Sequence, residues 1–508
     1  MGELKSSAAD FPSTSRAIAW TLAARQGERL LGIVSISILA RLLSPSDFGL
    51  VAMAGSVAAL VEVLSAFGFD WALIRLPDPT REHYDTAWTL RLACGMLVLC
   101  ALVALAQPVA ILYAQPAVAP ILVAVGINGL IGSAENTWMA EFRRQNRFEQ
   151  EFKLRVLAKI AGFFTATAWA LESHSYWALV AGVTASRLTA TLLSYRLHPL
   201  RPRWGLSRRA DLLQFSVWLL VGNVTDVLRV RFSEIWLGRN LGPRPVGLYS
   251  MASELSALAT TEWAAPINRA VFSRYVRDTG AVDALRSGYL RVSALIWALG
   301  MPAAVGIGLC APLIVMILLG GQWAGAAAVL QILAIAGLLN IMASNTQYIY
   351  WALGKSRFVT LLSLLGASAF VVLTLLFGRR FGVTGVAWAQ VFASALVLAI
   401  NYGVLLRTLR LRLTLVVRRS YRVVIASAAM GFIISLFADA SASWPVQQPW
   451  QRLGLMIAIG IASYFAILMG LWTLLGKPEG PEADLRDASC AAGAQCLDFL
   501  RARVRSRV

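Results

Sequence analysis

Three charged side chains, Arg25, Glu28 and Arg29, interrupt the first apolar run of the chain. Thr21, Arg25, Glu28, Gly32 and Ser35 follow helical spacing and line one face, with Arg29 beside Glu28. A later apolar run repeats the arrangement with Asn223, Asp226, Arg229 and Ser233. On a neighbouring face of that run, Arg231 and Glu234 are spaced to pair at i,i+3. Guanidinium groups carry a permanent charge and several donors, which suits them to phosphate oxygens. The carboxylates would offset that charge and offer a place for a coupling ion. A charge at the centre of a bilayer costs about 2.5–3.5 kcal/mol, so several in one helix need a wet cavity or each other. Two readings stand: a cationic chamber built to hold an anionic headgroup, or ion pairs that fix helix packing. Further charges are scattered through the apolar runs at Glu62, Arg91, Glu135, Lys159, Arg187, Glu254 and Glu262.

The elements that would position these groups are long and apolar. Of the 508 residues, 58% are hydrophobic and 14% charged, and the mean hydropathy is +0.64. A water-soluble fold of this size could not cover itself with so few charges, whereas lipid solvates an apolar exterior. Runs of about 20 apolar residues mark spans. They include Ala17–Leu43, Phe48–Ile74, Pro120–Ala140, Leu213–Leu237, Phe358–Phe377, Val383–Leu406 and Val423–Ala438. The expected fold class is an all-α polytopic membrane protein with about 14 transmembrane helices. Every second loop is rich in Lys and Arg, which accounts for the net charge of +19 without nucleic acid as a partner. That alternation places both termini and the basic loops in the cytoplasm, including the run from Arg407 to Arg422. The N-terminal residues lack the short apolar core of a removed signal.

Nothing resembles an enzyme centre. No Gly-rich phosphate loop, paired zinc ligands or nucleophile motif is present, so no catalytic residue, metal or cofactor is expected. His83, His174 and His198 fall at predicted loops, where solvation is expected, and the five cysteines have no metal-ligand spacing.

An internal repeat organises the spans. Ala40–Leu60 reads ARLLSPSDFGLVAMAGSVAAL and Gly238–Leu258 reads GRNLGPRPVGLYSMASELSAL, with nine of 21 positions identical. In the same register Trp20 falls on Trp218, Ser35 on Ser233, Leu39 on Leu237 and Glu28 on Asp226. The offset spans six helices, so the two halves have like orientation, a transporter arrangement with its site near the midplane. The expected organisation is a six-helix lobe over 1–204, a second over 205–408, an extra helix pair over 409–476 and a cytoplasmic tail over 477–508. Pro478, Gly480 and Pro481 open that tail as a linker. Its end reads equally as a basic helix on anionic lipid or as disordered chain.

The blocks LARLLSPSDFGLVAMA (Leu39–Ala54), FGFDWALIRLPDPTREHYDTAW (Phe67–Trp88) and GKSRF (Gly354–Phe358) resemble the polysaccharide-transporter branch of the MOP exporter superfamily, the Wzx-type oligosaccharide-lipid flippases. The resemblance implies two lobes around a central cationic cavity, alternating access, and an undecaprenyl-diphosphate-linked oligosaccharide as substrate. It implies that Arg25, Glu28 and Arg29 hold the pyrophosphate; the charged face of the repeat adds Asn223, Asp226 and Arg229 to the expected cavity, with Glu28 and Asp226 open to ion coupling. Location in a bacterial inner membrane, with membrane lipids, a polysaccharide polymerase and chain-length machinery as partners, follows from the same likeness. The rival readings are a cation-coupled drug or metabolite antiporter of that superfamily and a membrane glycosyltransferase or polymerase. The arginines disfavour the first and the short outer loops disfavour the second.

Overall fold

The computed structural model describes residues 27, 31–63, 69, 73, 76, 78–145, 147–209, 227–442, 448–476 and 482. Arg25, Glu28, Arg29, Asn223 and Asp226 lie outside these residues, as do the opening of the first expected span and nearly all of the tail. Among the described residues all regular structure is helical. Seven segments have the length and hydropathy to cross a membrane, and Leu31–Leu42 and Val118–Ser133 are shorter apolar helices. The chain is a multi-pass membrane protein.

It divides into two compact units, one built from residues up to Ser250 with Leu318–Trp323, the other from Met251–Ile317 and the residues from Ala324 onward. In the first unit the helices are α1 (Leu31–Leu42), α2 (Pro45–Glu62), α3 (Arg81–Tyr113), α4 (Val118–Ser133), α5 (Met139–Arg144), α6 (Phe148–Ser173), α7 (Trp177–Leu197) and α8 (227–241). Next comes α9 (Pro243–Ala259), which opens in the first unit and continues into the second.

Local chemistry sets the helix ends. At α2 the Ser44 hydroxyl accepts the Asp47 N–H while the Asp47 carboxylate accepts the Ser44 N–H, and Pro45 supplies a pre-set first residue. Thr80 and His83 build the same reciprocal cap on α3. The span expected over Pro120–Ala140 stops at Ser133. Asn136 and Thr137 break it, because their polar groups are taken by other segments. Asn136 N–H donates to Ser194 Oγ at 3.0 Å, its amide donates to the Leu200 carbonyl at 2.9 Å, and Thr137 Oγ1 donates to the Tyr84 carbonyl at 3.0 Å.

The repeat has a physical counterpart in the first unit. A Cβ on Gly49 would overlap the Pro243 carbonyl oxygen, and a Cβ on Gly247 would overlap the Pro45 carbonyl oxygen. Pro45 and Pro243, like Gly49 and Gly247, are 198 residues apart. The first turns of α2 and α9 therefore cross backbone to backbone about a local two-fold, which only a missing side chain at both glycines permits. The preceding arginines, again 198 apart, sit in related places. Arg239 donates to the Leu112 carbonyl in the last turn of α3, and Arg41 lies against Gly320, just past the end of a helix from the other half. Trp323 Nε1 and Gln322 Nε2 donate to the Ala40 carbonyl at 2.8 and 2.6 Å, and the Trp323 ring meets Phe48 edge-on at 5.2 Å.

The second unit continues with α10 (Thr261–Arg277), α11 (Val282–Leu318), α12 (Ala324–Ser344), α13 (Thr346–Ala352), α14 (Ser356–Thr408), α15 (Leu413–Ala442) and α16 (Pro449–Leu474). Gly382, at φ 61°, breaks α14 where two separate spans are expected. A buried polar knot ties its helices: the Asn345 amide donates to Ser293 Oγ at 2.8 Å and to Tyr275 Oη at 3.1 Å, and Tyr289 Oη donates to Tyr402 Oη at 3.1 Å. The basic run Arg407–Arg422, expected as a loop, is helical from Leu413. Arg422 is buried and pairs with the buried Glu482 at 3.0 Å. Glu482 thus lies against α15. Burial pushes the Glu482 carboxyl above its usual range, against the pull of Arg422.

Candidate functional site

The charges of the first unit come from five helices. On α8, Arg231 Nη1 reaches both oxygens of Glu234 at 3.2 and 3.1 Å, as the i,i+3 spacing predicts. Glu234 is buried, and the neighbouring Ser233 and Tyr249 are buried and hydrogen-bonded to one another. Arg229 is half-buried on the same helix, within electrostatic reach of Tyr249. It is the one member of the expected substrate set among the described residues.

Two glycines one turn apart on α4 open room for partners. The Arg187 guanidinium from α7 lies across Gly132, with Nη1 3.2 Å from where a Cβ would sit. Arg91 from α3 donates to the Gly132 carbonyl at 3.1 Å. Glu62, at the end of α2, faces Gly129 at 3.5 Å and feels the charges of Arg187 and Arg231. Lys159 of α6 brings its Nζ to 3.3 Å from the Cβ position of Gly32, which lies on the α1 face that the sequence assigns to Arg25 and Glu28.

Depth follows from helix geometry. Arg187 lies ten residues into α7 and Arg231 ten before the end of α8. At a rise of about 1.5 Å per residue, each is roughly 15 Å from a helix end, a distance about half the thickness of a hydrocarbon core. Arg91 and Arg187 meet at Gly132, with Glu62 one helical turn away beside Gly129. Such a cluster can attract an anion and offer it planar, multi-donor contacts.

Sequence reading treats Glu62, Arg91, Lys159 and Arg187 as scattered. The signal that would have grouped three of them is the Gly129/Gly132 pair, whose missing side chains mark where long charged ones cross. The histidines depart from expectation as well. His83 is buried in the α3 cap, and His198 is buried against Trp138, with ring centroids 5.6 Å apart. Burial holds the His198 imidazole below its ordinary pKa, and its Nδ1 accepts the Leu200 N–H. His174 alone is solvated, capping α6. No group of three or more His, Cys, Asp or Glu among the described residues could hold a metal ion.

The chain is helical and multi-pass, with charged side chains set among its apolar helices. Its fold is that of the MOP superfamily transporters. The lipid II flippase MurJ in its inward closed conformation matches with a TM-score of 0.71, at 13% identity, over 90% of this chain and 99% of that one. An inward-facing multidrug resistance MATE family transporter matches with a TM-score of 0.58, at 14% identity, over 75% of this chain and 95% of that one. The chain belongs to the polysaccharide biosynthesis protein family, which matches residues 38–328. The lipopolysaccharide biosynthesis protein WzxC of Escherichia coli K12 is 22% identical over 80% of this chain and 82% of its own length. The teichuronic acid biosynthesis protein TuaB of Bacillus subtilis 168 is 20% identical over 89% of this chain and 94% of its own length. The succinoglycan biosynthesis transport protein ExoT of Rhizobium meliloti 1021 is 22% identical over 66% of this chain and 69% of its own. The relatives are named as biosynthesis and transport proteins, and the two solved structures are of a flippase and a transporter.

Proposed function

We propose that the chain is a flippase that carries undecaprenyl-diphosphate-linked oligosaccharide repeat units across the bacterial inner membrane, for assembly of a surface polysaccharide. The observation that carries the reading is the charge balance at α4, where the guanidinium groups of Arg91 and Arg187 meet at Gly132 beside Glu62. A drug antiporter that holds organic cations needs the opposite balance. Arg25, Arg29 and Arg229, with Asn223, attract the diphosphate, and Glu28 and Asp226 offset the charge of the empty site and accept a coupling ion. Lobes over 1–204 and 205–408 alternate access to this site, followed by the helix pair 409–476 and the tail 477–508. A polymerase and chain-length machinery receive the units on the far side.

The direct test is reconstitution in vesicles with a short undecaprenyl-diphosphate-linked sugar placed in one leaflet. Movement to the other leaflet supports the proposal. No movement, accompanied by transport of organic cations, favours an antiporter, and new glycosidic bonds favour an enzyme. Orientation, with both termini cytoplasmic, is checked by alkaline phosphatase fusions. A fusion after His174 is expected to be active and one after Arg144 inactive; the reverse pattern overturns it.

A further inference from the structure

The segment Leu200–Arg209 follows α7 and joins the two repeated halves. It carries no regular structure over 201–206, yet it is tied down along its length. The Leu200 carbonyl accepts the Asn136 amide at 2.9 Å. Arg203 N–H donates to Asp85 Oδ1 at 2.9 Å, Gly205 N–H to Thr89 Oγ1 at 3.1 Å, and Arg208 N–H to Thr86 Oγ1 at 3.4 Å. Arg208 also pairs with Glu82 at 3.1 Å. Four of these five acceptors come from the opening turns of α3, the end at which that apolar helix enters the hydrocarbon. The inward side of the strap is therefore occupied by the protein.

Its outward side is mixed in an unusual way. Trp204 is 72% exposed although its ring meets Trp88 edge-on at 5.1 Å, and Leu206 and Leu200 are exposed too. Beside them stand the exposed side chains of Arg201, Arg203 and Arg209, and residues 199–209 contain no acid. Water is a poor solvent for a rigidly held indole, and hydrocarbon is a poor one for guanidinium. The headgroup region of a bilayer suits both. Folding has already ordered the strap, so a headgroup that binds it meets prepositioned donors.

We propose that Leu200–Arg209 is a preorganised docking strap for anionic phospholipid headgroups. Arg201, Arg203 and Arg209 hold the phosphates, and Trp204 anchors the strap at the interface. The strap needs no flipped substrate and stands apart from the flippase reading. Its consequence is that the connector between the halves is held at the level of the headgroups rather than free in water.

The test uses the full chain in nanodiscs of phosphatidylglycerol or of phosphatidylcholine, with hydroxyl-radical footprinting read at Trp204 by mass spectrometry. Trp204 should be modified several-fold less in phosphatidylglycerol, and 0.5 M salt should shrink that difference. The variant R201Q/R203Q/R209Q, which leaves the backbone ties to α3 in place, should remove it. Equal modification of the unaltered protein in the two lipids overturns the proposal without any variant. Protection in phosphatidylglycerol that survives all three substitutions overturns it too, because the indole alone would then be responsible.

Discussion

Alanine at Gly49 is expected to lower the stability of the protein sharply, although it adds one methyl group. The new Cβ would overlap the Pro243 carbonyl, a backbone atom that cannot swing aside as a long side chain can. The first turns of α2 and α9 would have to part, at a cost of about 3 kcal/mol, the upper end of what overpacking does to a tight core. Gly247→Ala makes the same collision with Pro45. Because both substitutions open one crossing, the double variant should cost less than the two single costs added together. Thermal unfolding in detergent would show the midpoint falling by several degrees for either variant. Gly55→Ala is the control, since a Cβ there meets nothing within 4 Å. Equal midpoints for Gly49→Ala and Gly55→Ala would mean that the crossing is not tight.

Arg229 and Arg231, two residues apart on α8, are expected to fail in different ways. Arg231→Ala strands the buried Glu234 carboxylate without its cation. Removing one member of a fully buried pair costs about 3–5 kcal/mol, and the partial exposure of Arg231 brings the expectation down to roughly 2 kcal/mol. Glu234→Gln in the same chain should restore most of that loss, because a neutral amide no longer needs the guanidinium. Arg25→Ala, Arg29→Ala and Arg229→Ala should instead leave the unfolding midpoint in place and abolish surface polysaccharide. The measurements are protein retained in the membrane, unfolding midpoint and exported polymer, taken on the same strains. Full export by the Arg25 and Arg29 variants would remove those residues from the substrate site.

The difference between these arginines shows what kind of information a sequence carries. The Arg231–Glu234 pair is legible because i,i+3 spacing on a helix fixes proximity whatever the helix packs against. The same holds for the Ser44 cap of α2 and the break of α14 at Gly382, where a local preference decides the outcome. Arg91 and Arg187 lie 96 residues apart, and no local rule says that they meet at Gly132. Asn136 ends α4 because Ser194 and Leu200 take its hydrogen bonds, a fact invisible in a run that reads as continuously apolar. His198 is buried by Trp138, and Arg422 by a contact with Glu482 from beyond the last span.

The sequence by itself determined that this is a helical membrane protein, that its halves repeat, and which helix faces carry charge. Those properties rest on hydropathy and helical period, which are summed along the chain and survive any packing. Only the tertiary structure decided that the first turns of α2 and α9 touch at Gly49 and Gly247 and that the connector after α7 is pinned to α3. It alone decided, too, which of the intramembrane cations gather on α4. These depend on distances between residues remote in sequence, and a pair of missing side chains has meaning only once the opposing backbone is in place.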